Sequence, residues 1–340
     1  MLTATRLTVV LTLLVIVATV WAAPMKWTLG GYVQARYSED LGTLVGDPPA
    51  PTPGTFQDLR PAVLIRATDE NHVFLQFFFS TTGGGTNFEV QHAFAEYDAI
   101  PFIARLGLGP IPFGYENPIT SAALITTERS QVSNKLIGPN ALDRGVFFFY
   151  QAGGVFVAKP APPKSGSVNI EVGLVNGQPY NTSTPKDPNN VKNIVGRVGF
   201  QFPNGEIGVS VIEGKGIEPA APTTWDRLGA DLKWQLGAFT ALLEYLRGDT
   251  AGLTANGGYL TVAFRPLNAD GAPVMYQLYA RGDVYDPNID AVDDYFNRTT
   301  VGACYFLNPT SKLQAEYQSI EDQKNLDLDG NVTLQYQIIF

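Results

Sequence analysis

The sequence is poor in charged residues, in cysteine and in histidine. Only 16% of its 340 residues are Asp, Glu, Lys or Arg, whereas soluble domains average about 25%. A single cysteine excludes a disulfide framework, and two histidines leave few ligands for a zinc site. The net charge of −9 argues against a nucleic-acid partner, because phosphate backbones attract basic proteins. We therefore expect no metal, no cofactor and no nucleic acid.

Long hydrophobic runs are also missing beyond the N-terminus. After residue 25 no apolar run reaches the roughly 18 residues that a membrane-spanning helix requires, which excludes a helical membrane protein. At the N-terminus, Arg6 precedes an apolar run over residues 7–20, and Ala22 follows it. This pattern predicts a secretory signal peptide over residues 1–22 and one mature domain over residues 23–340. An uncleaved N-terminal anchor would share the pattern and stays open.

The mature chain shows instead a strict alternation of apolar and polar residues. In its first segment Val33 and Ala35 fall on one face, and Gln34 and Arg36 fall on the other. The C-terminal segment repeats this order. Strands with one apolar face and one face of Arg, Gln and Thr are suited to lie between lipid and water. A soluble β-sandwich also alternates, but its strands are shorter.

Sixteen such segments recur along the chain. They fall at 27–37, 56–67, 72–81, 88–98, 101–109, 143–157, 167–177, 192–202, 206–214, 224–236, 238–247, 257–266, 273–284, 294–307, 311–320 and 331–340. About 9–11 residues suffice for a tilted strand to cross a bilayer, and an even strand number allows closure without exposed edges. The predicted fold is therefore all-β, a transmembrane antiparallel β-barrel of about 16 strands.

The connections between these segments alternate in length. Every second connection is mostly a short turn, such as Ala99-Ile100 or Leu236-Gly237. The longer connections fall at 38–55, 110–142, 178–191, 215–223, 248–256, 285–293 and 321–330. Short periplasmic turns and longer extracellular loops are typical of outer-membrane barrels.

Several stretches carry a family resemblance. They are Arg105–Ser121, which contains Pro-Phe-Gly-Tyr-Glu-Asn, the pair Glu128-Arg129, the stretch Asp143–Val146, and Val301–Pro309 near the end. In content and order they resemble the phosphate-selective porin O/P family over most of the mature chain. The resemblance implies a 16-stranded, trimeric porin whose third extracellular loop, about residues 110–142, folds inward and constricts the pore.

The same resemblance shows where this chain departs from the family pattern. Pro61 stands where the strand carrying Arg60 has a second arginine, and the third-loop stretch Pro110–Phe113 lacks the family's lysine. His92 replaces an aspartate in the fourth strand. A phosphate site needs converging Arg and Lys donors. The resemblance therefore implies the porin architecture without strict phosphate selectivity.

Charged residues of the lumen are the candidate functional groups, because pore selectivity arises from charges at the constriction. An arginine facing lipid would cost about 2–4 kcal/mol at the midplane, so strand arginines are expected to face inward. The lumen candidates are Arg36, Arg60, Arg66, Arg105, Arg144 and Arg197, and the loop candidates are Glu116, Glu128 and Arg129. The alternatives are arginines paired with wall carboxylates in a purely structural role, and a Glu116 that only ties the loop to the wall.

These observations predict a porin that lets ions and small polar solutes diffuse passively, with a preference for anions, in the outer membrane of a Gram-negative-type bacterium. Expected partners are outer-membrane lipid and lipopolysaccharide, which acidic loops near 283–294 and 321–329 could bridge through cations. Phe340 resembles the C-terminal signal that the barrel assembly machinery reads. A plugged structural or adhesion barrel remains an alternative. A barrel hydrolase is disfavoured, because His72 and His92 are the only imidazoles.

Overall fold

The computed structural model describes residues 25–43, 55–69, 73–81, 88–99, 101–138, 141–152, 166–177, 191–216, 223–292, 294–323 and 327–340. Within them the chain forms sixteen β-strands in one closed barrel. The predicted fold class and strand number are thus confirmed. The predicted signal peptide and His72 lie outside the described residues.

Each predicted segment corresponds to one strand, but several ends differ: the first strand extends six residues beyond the predicted end at 37, and the last begins four residues before 331, so parts of the predicted loops at 38–55 and 321–330 are strand. The strands are β1 (Lys26–Thr43), β2 (Thr55–Thr68), β3 (Val73–Thr81), β4 (Phe88–Ala99), β5 (Phe102–Pro110), β6 (Leu142–Ala152), β7 (Val168–Val175), β8 (Asn193–Phe202), β9 (Gly205–Glu213), β10 (Trp225–Leu236), β11 (Phe239–Thr250), β12 (Leu253–Phe264), β13 (Tyr276–Asp286), β14 (Phe296–Asn308), β15 (Ser311–Asp322) and β16 (Asp327–Ile339). A helix α1 (Gln131–Leu136) and a 3₁₀ turn (Ser121–Ala123) lie between β5 and β6. Neither helical segment of this described part is long and apolar enough to span a membrane.

The barrel closes where the first strand meets the last. Tyr32 of β1 pairs with Ala62 of β2 on one side and with Ile339 of β16 on the other. The backbone of Phe340 exchanges two hydrogen bonds of 3.0 Å with Gly31. Closure leaves no sheet edge, so each strand finds backbone partners on both sides.

Side chains alternate between the two faces of the barrel wall as predicted. In β16, Leu334 and Ile338 are 49% and 39% exposed on the outer face, whereas Gln335 and Gln337 are buried on the inner face. Burying amides and exposing aliphatic side chains is the reverse of a water-soluble domain. The outer face is therefore suited to lipid and the inner face to water and polar groups.

The two ends of the barrel differ in their connections. At one end, the turn end, adjacent strands are joined mostly by short turns such as residues 203–204, 237–238 and 309–310. At the other, the loop end, the prediction of a long loop at 248–256 was wrong. There β11 runs to Thr250 and β12 begins at Leu253, so that Ala251 and Gly252, both at positive φ, form a two-residue turn. The polar residues that predict a loop there belong to the end of a hairpin.

The described part of the segment between β5 and β6 lies inside the barrel, and we call it the inner loop (residues 111–138 and 141). Its Phe113 is fully buried among inner-face side chains of neighbouring strands, including Val195, Ile212 and Leu246. Burying apolar surface holds the start of the loop against the wall. Further polar contacts determine the path of the rest of the loop across the lumen.

Candidate functional site

A buried ion pair anchors the middle of the inner loop. Glu116 Oε1 accepts a hydrogen bond from Arg281 Nη2 of β13 at 2.6 Å, and both side chains are almost inaccessible to solvent. Glu116 Oε2 accepts the backbone N–H of Ser130 at 2.7 Å. Burial raises the pKa of Glu116, but Arg281 and the hydrogen bonds from Ser130 outweigh it, so the pKa lies below its ordinary value. Glu116 is therefore ionised and ties the loop to the wall.

A second ion pair supports the same part of the loop. Asp283 of β13 binds Arg298 Nε of β14 at 2.9 Å, and Asp283 Oδ1 accepts the backbone N–H of Gln131 at 3.2 Å. Arg298 Nη2 also donates to the backbone carbonyl of Arg129. The guanidinium of Arg129 donates to the carbonyls of Glu116 and Ile119 within the loop. This predicted loop arginine therefore stabilises the fold of the loop itself.

Two carboxylates of the wall bind backbone N–H groups of the loop. Glu244 of β11 accepts from Tyr115 N at 2.9 Å, and Glu316 of β15 accepts from Thr127 N at 2.9 Å and from Thr127 Oγ1 at 2.6 Å. Because β11 and β15 lie on different parts of the wall, these bonds hold the loop across the lumen.

The predicted pair Arg36 and Glu128 forms the contact between the loop and β1. The guanidinium of Arg36 binds the Glu128 carboxylate, the carbonyl of Thr127 at 2.8 Å and the amide oxygen of Gln335. The Glu128 side chain is 41% exposed. Arg60 of β2 lies opposite Gln34 of β1 and interacts electrostatically with both Arg36 and Glu128. Opposite charges thus meet across this side of the lumen.

The remaining inner-face arginines that were predicted bind wall residues. Arg105 pairs with Glu96 at 2.6 Å and lies over the rings of Phe94 and Phe149. Arg197 pairs with Glu206 and Asp231, both at 2.6 Å. Arg66 donates instead to the neutral amide oxygen of Gln76 at 2.7 Å. Arg105 and Arg197 bind wall carboxylates and therefore fit the alternative in which wall arginines have a purely structural role.

Arg144 does not lie where it was predicted. On β6, Phe147 and Phe149 are buried inside and Phe148 is 58% exposed outside. Arg144 shares the phase of Phe148, so its side chain lies on the outer face, where it lines a groove with Val146 and Lys192. The predicted lumen position of Arg144 is wrong. Residues 146–150 are apolar or aromatic on both faces, so alternation does not show which face of β6 points inward.

Several charged residues of the lumen were missed in the sequence. They are Arg227, Glu244, Arg281, Arg298, Lys312 and Glu316, all buried on the inner face of β10–β15. The alternation of the sequence could have identified them. Arg281, for example, lies two residues from both Tyr279 and Asp283 and therefore faces the same side of β13. Asp283, which was considered for cation binding in a loop, lies in β13 and pairs with Arg298. Among the described residues, no cluster of three or more His, Cys, Asp or Glu could hold a metal ion.

A closed 16-stranded barrel with a loop folded inward and held by ion pairs is the architecture of outer-membrane porins, and the comparison with solved structures gives the same fold. The anion-selective porin from Comamonas acidovorans aligns with a TM-score of 0.66 at 12% identity, covering 93% of this chain and 100% of that chain. The outer membrane channel DcaP of Acinetobacter baumannii aligns with a TM-score of 0.66 at 10% identity, covering 93% and 97%. Pseudomonas putida OprB gives 0.63 at 9% identity, covering 99% and 96%. No protein-family model and no curated protein matches this sequence.

Proposed function

We propose that this chain is an outer-membrane porin that lets small polar solutes diffuse passively through a lumen narrowed by the inner loop. The observation that carries the proposal is the loop itself, which ion pairs and hydrogen bonds hold across the barrel from β11, β13, β15 and β1. A rigid constriction lined by charges selects solutes by size and charge without any chemical step. The porin fold of the neighbours supports this function.

We further propose that the pore prefers anions. The wall formed by β1, β2 and β5 carries Arg36, Arg60, Arg66 and Arg105, of which Arg36 binds Glu128 and Arg105 binds Glu96. Arg66 binds the neutral amide of Gln76 instead of a carboxylate within the described residues, which supports a positive local potential although the whole chain is acidic. One structural neighbour is named as an anion-selective porin.

The finer assignments follow from the sequence. We propose a cleaved signal over residues 1–22, a homotrimer in contact with lipid and lipopolysaccharide, and recognition of Phe340 by the barrel assembly machinery. Membership of the phosphate-selective porin O/P family rests on the motifs around residues 105–121, and the missing basic residues favour a member without phosphate selectivity.

The test is the reversal potential of the detergent-extracted protein in a planar bilayer under a potassium chloride gradient. We expect stable conductance steps, a reversal potential with the sign of chloride preference, and no block by added phosphate. Arg144→Gln is the control variant and should leave the reversal potential unchanged, because it removes one positive charge from the outer face and none from the lumen. Cation preference in the wild type would contradict the anion assignment, and phosphate block would contradict the loss of phosphate selectivity.

A plugged structural barrel is the second candidate, and the dense bonding of the inner loop is the observation that favours it. The same recording separates the two functions. A protein that inserts, migrates as a heat-modifiable barrel on SDS gels and yet gives no conductance steps would be a plugged barrel and would refute the porin proposal.

A further inference from the structure

Two cavities lie under the inner loop at the turn end of the barrel. The larger has a volume of about 320 Å³ and lies between the loop and β10–β13, bordered by the turns at 237–238 and 267–273. The smaller, of about 180 Å³, lies beside β14–β16. Both are lined by residues 123–125 of the loop and by Gln277, so they flank one segment of the loop. We call the two together the basal chamber.

Three basic side chains line the basal chamber beside Arg281, whose ion pair with Glu116 also borders the larger cavity. Lys233 of β10 contacts the ring of Tyr115 at 5.7 Å, and Arg265 lies over the ring of Phe306 at 3.8 Å while its Nε donates to the carbonyl of Val274. Lys312 of β15 donates to a backbone carbonyl of the loop at 3.3 Å. Within the described chain none of the three forms an ion pair. Glu206, the cross-strand neighbour of Lys233, is bound instead by Arg197 and Gln201.

The arginines that hold the inner loop are paired with carboxylates, whereas the basic side chains here contact aromatic rings and backbone carbonyls. Stacking on Phe306 and the bond to Val274 orient the Arg265 guanidinium without using its terminal nitrogens. A guanidinium held in this way can bind a carboxylate through two parallel hydrogen bonds. Gln235, Thr240 and Gln277 line the same cavity and supply neutral donors and acceptors. The larger cavity falls in the range of small-molecule sites, about 300–1,000 Å³.

We propose that the basal chamber binds small hydroxylated organic acids, with the carboxylate on Arg265 and Lys233 and the hydroxyl groups on the amides and hydroxyl of the cavity wall. This assignment names a solute class for the proposed porin. It rests on the proposed function only in that the solute must enter the lumen to reach the chamber. The chamber then acts as a resting site for organic anions between the constriction and the turn end.

Equilibrium binding tests the site without requiring transport. Isothermal titration of the detergent-solubilised protein with sodium gluconate should show saturable binding, weaker by about 10-fold or more in Arg265→Gln and in Lys233→Gln, since each loses a charge-assisted contact. Arg66→Gln is the matched control, because it removes one charge from the lumen wall away from these cavities. Arg265→Lys should keep part of the affinity, and heat-modifiable migration on SDS gels verifies the fold of each variant.

The outcomes separate this proposal from the porin proposal. Gluconate binding without conductance would refute the porin and leave the site standing, whereas conductance without gluconate binding would overturn the site alone. Equal weakening by Arg66→Gln would overturn the local assignment in favour of a general effect of lumen charge. Inorganic phosphate binding more tightly than gluconate would overturn the assignment to hydroxylated organic acids.

Discussion

Two zones of the lumen use positive charge in different ways. Around the inner loop, Arg36, Arg281 and Arg298 each bind a carboxylate, and the network also holds loop backbone. In the basal chamber, Lys233 and Arg265 contact aromatic rings instead. Paired charges in a buried site stabilise one geometry, whereas cations without a protein carboxylate attract an anion from solution. The difference separates the arginines that hold the inner loop from the cations that we propose to bind solute.

The largest effect is expected from Arg281→Met. It leaves the Glu116 carboxylate buried without its partner, which costs about 3–5 kcal/mol of unfolding free energy. Urea unfolding in lipid vesicles measures the loss. Arg247→Met, on the exposed outer face, is the control and should change stability by less than about 0.5 kcal/mol. The double variant Arg281→Met with Glu116→Leu should regain much of the loss; if it does not, the ion pair is not the cause.

A smaller loss is expected from Gly114→Ala in the first turn of the inner loop. Gly114 has a φ of +68°, and a Cβ there would lie 2.0 Å from Glu244 Oε1. Strain and the displaced carboxylate together should cost about 2 kcal/mol.

Two other glycines separate these causes by the same unfolding assay. Gly138 also has a positive φ, but a Cβ there would meet nothing within 4 Å, and Gly282 has neither constraint. We expect the order of losses to be Gly114→Ala, then Gly138→Ala, then Gly282→Ala. Equal losses at Gly114 and Gly138 would show that the Glu244 contact contributes nothing.

Acid should weaken the attachment of the inner loop to the barrel wall by less than Arg281→Met does. Because the pKa of Glu116 is lower in the folded protein, its ion pair stabilises the fold above the ordinary pKa of glutamate, and this stabilisation disappears as the pH falls through the lowered value. The loop should therefore stay tethered at pH 5 and loosen only below about pH 4. Single-channel noise recorded against pH measures this. Loosening already at pH 6 would contradict the assignment to Glu116.

The smallest effect concerns selectivity. Arg60→Gln and Arg105→Gln should each lower the permeability of chloride relative to potassium by about twofold, because each removes a positive charge from the lumen wall. Arg105→Gln also leaves Glu96 without its arginine partner, which adds an uncompensated negative charge to the lumen wall. Reversal potentials measure both, with Arg144→Gln as the outer-face control. An unchanged ratio in both variants would remove these residues from the constriction.

Alternation predicted most of the barrel because each strand residue faces either lipid or lumen, and that choice is visible within a few neighbours. It failed for Arg144, where residues 146–150 are apolar or aromatic on both faces. It also failed at 248–256, where polar residues belong to a hairpin that ends in Ala251 and Gly252. Arg281 and Glu316 followed the same alternation, but their importance could not be recognised without knowing where the inner loop runs.

The sequence by itself determined the closed barrel, because period-two patterning is local and a strand in lipid must pair its backbone on both sides. It also determined that most strand arginines of the described residues would face inward, although Arg144 does not. Only the tertiary structure decided which carboxylate each arginine meets, since partners such as Glu116 and Arg281 are 165 residues apart. The same distant contacts decided that Lys233 and Arg265 meet no carboxylate within the described residues. Charge pairing depends on where the loop crosses the lumen, which no local pattern encodes.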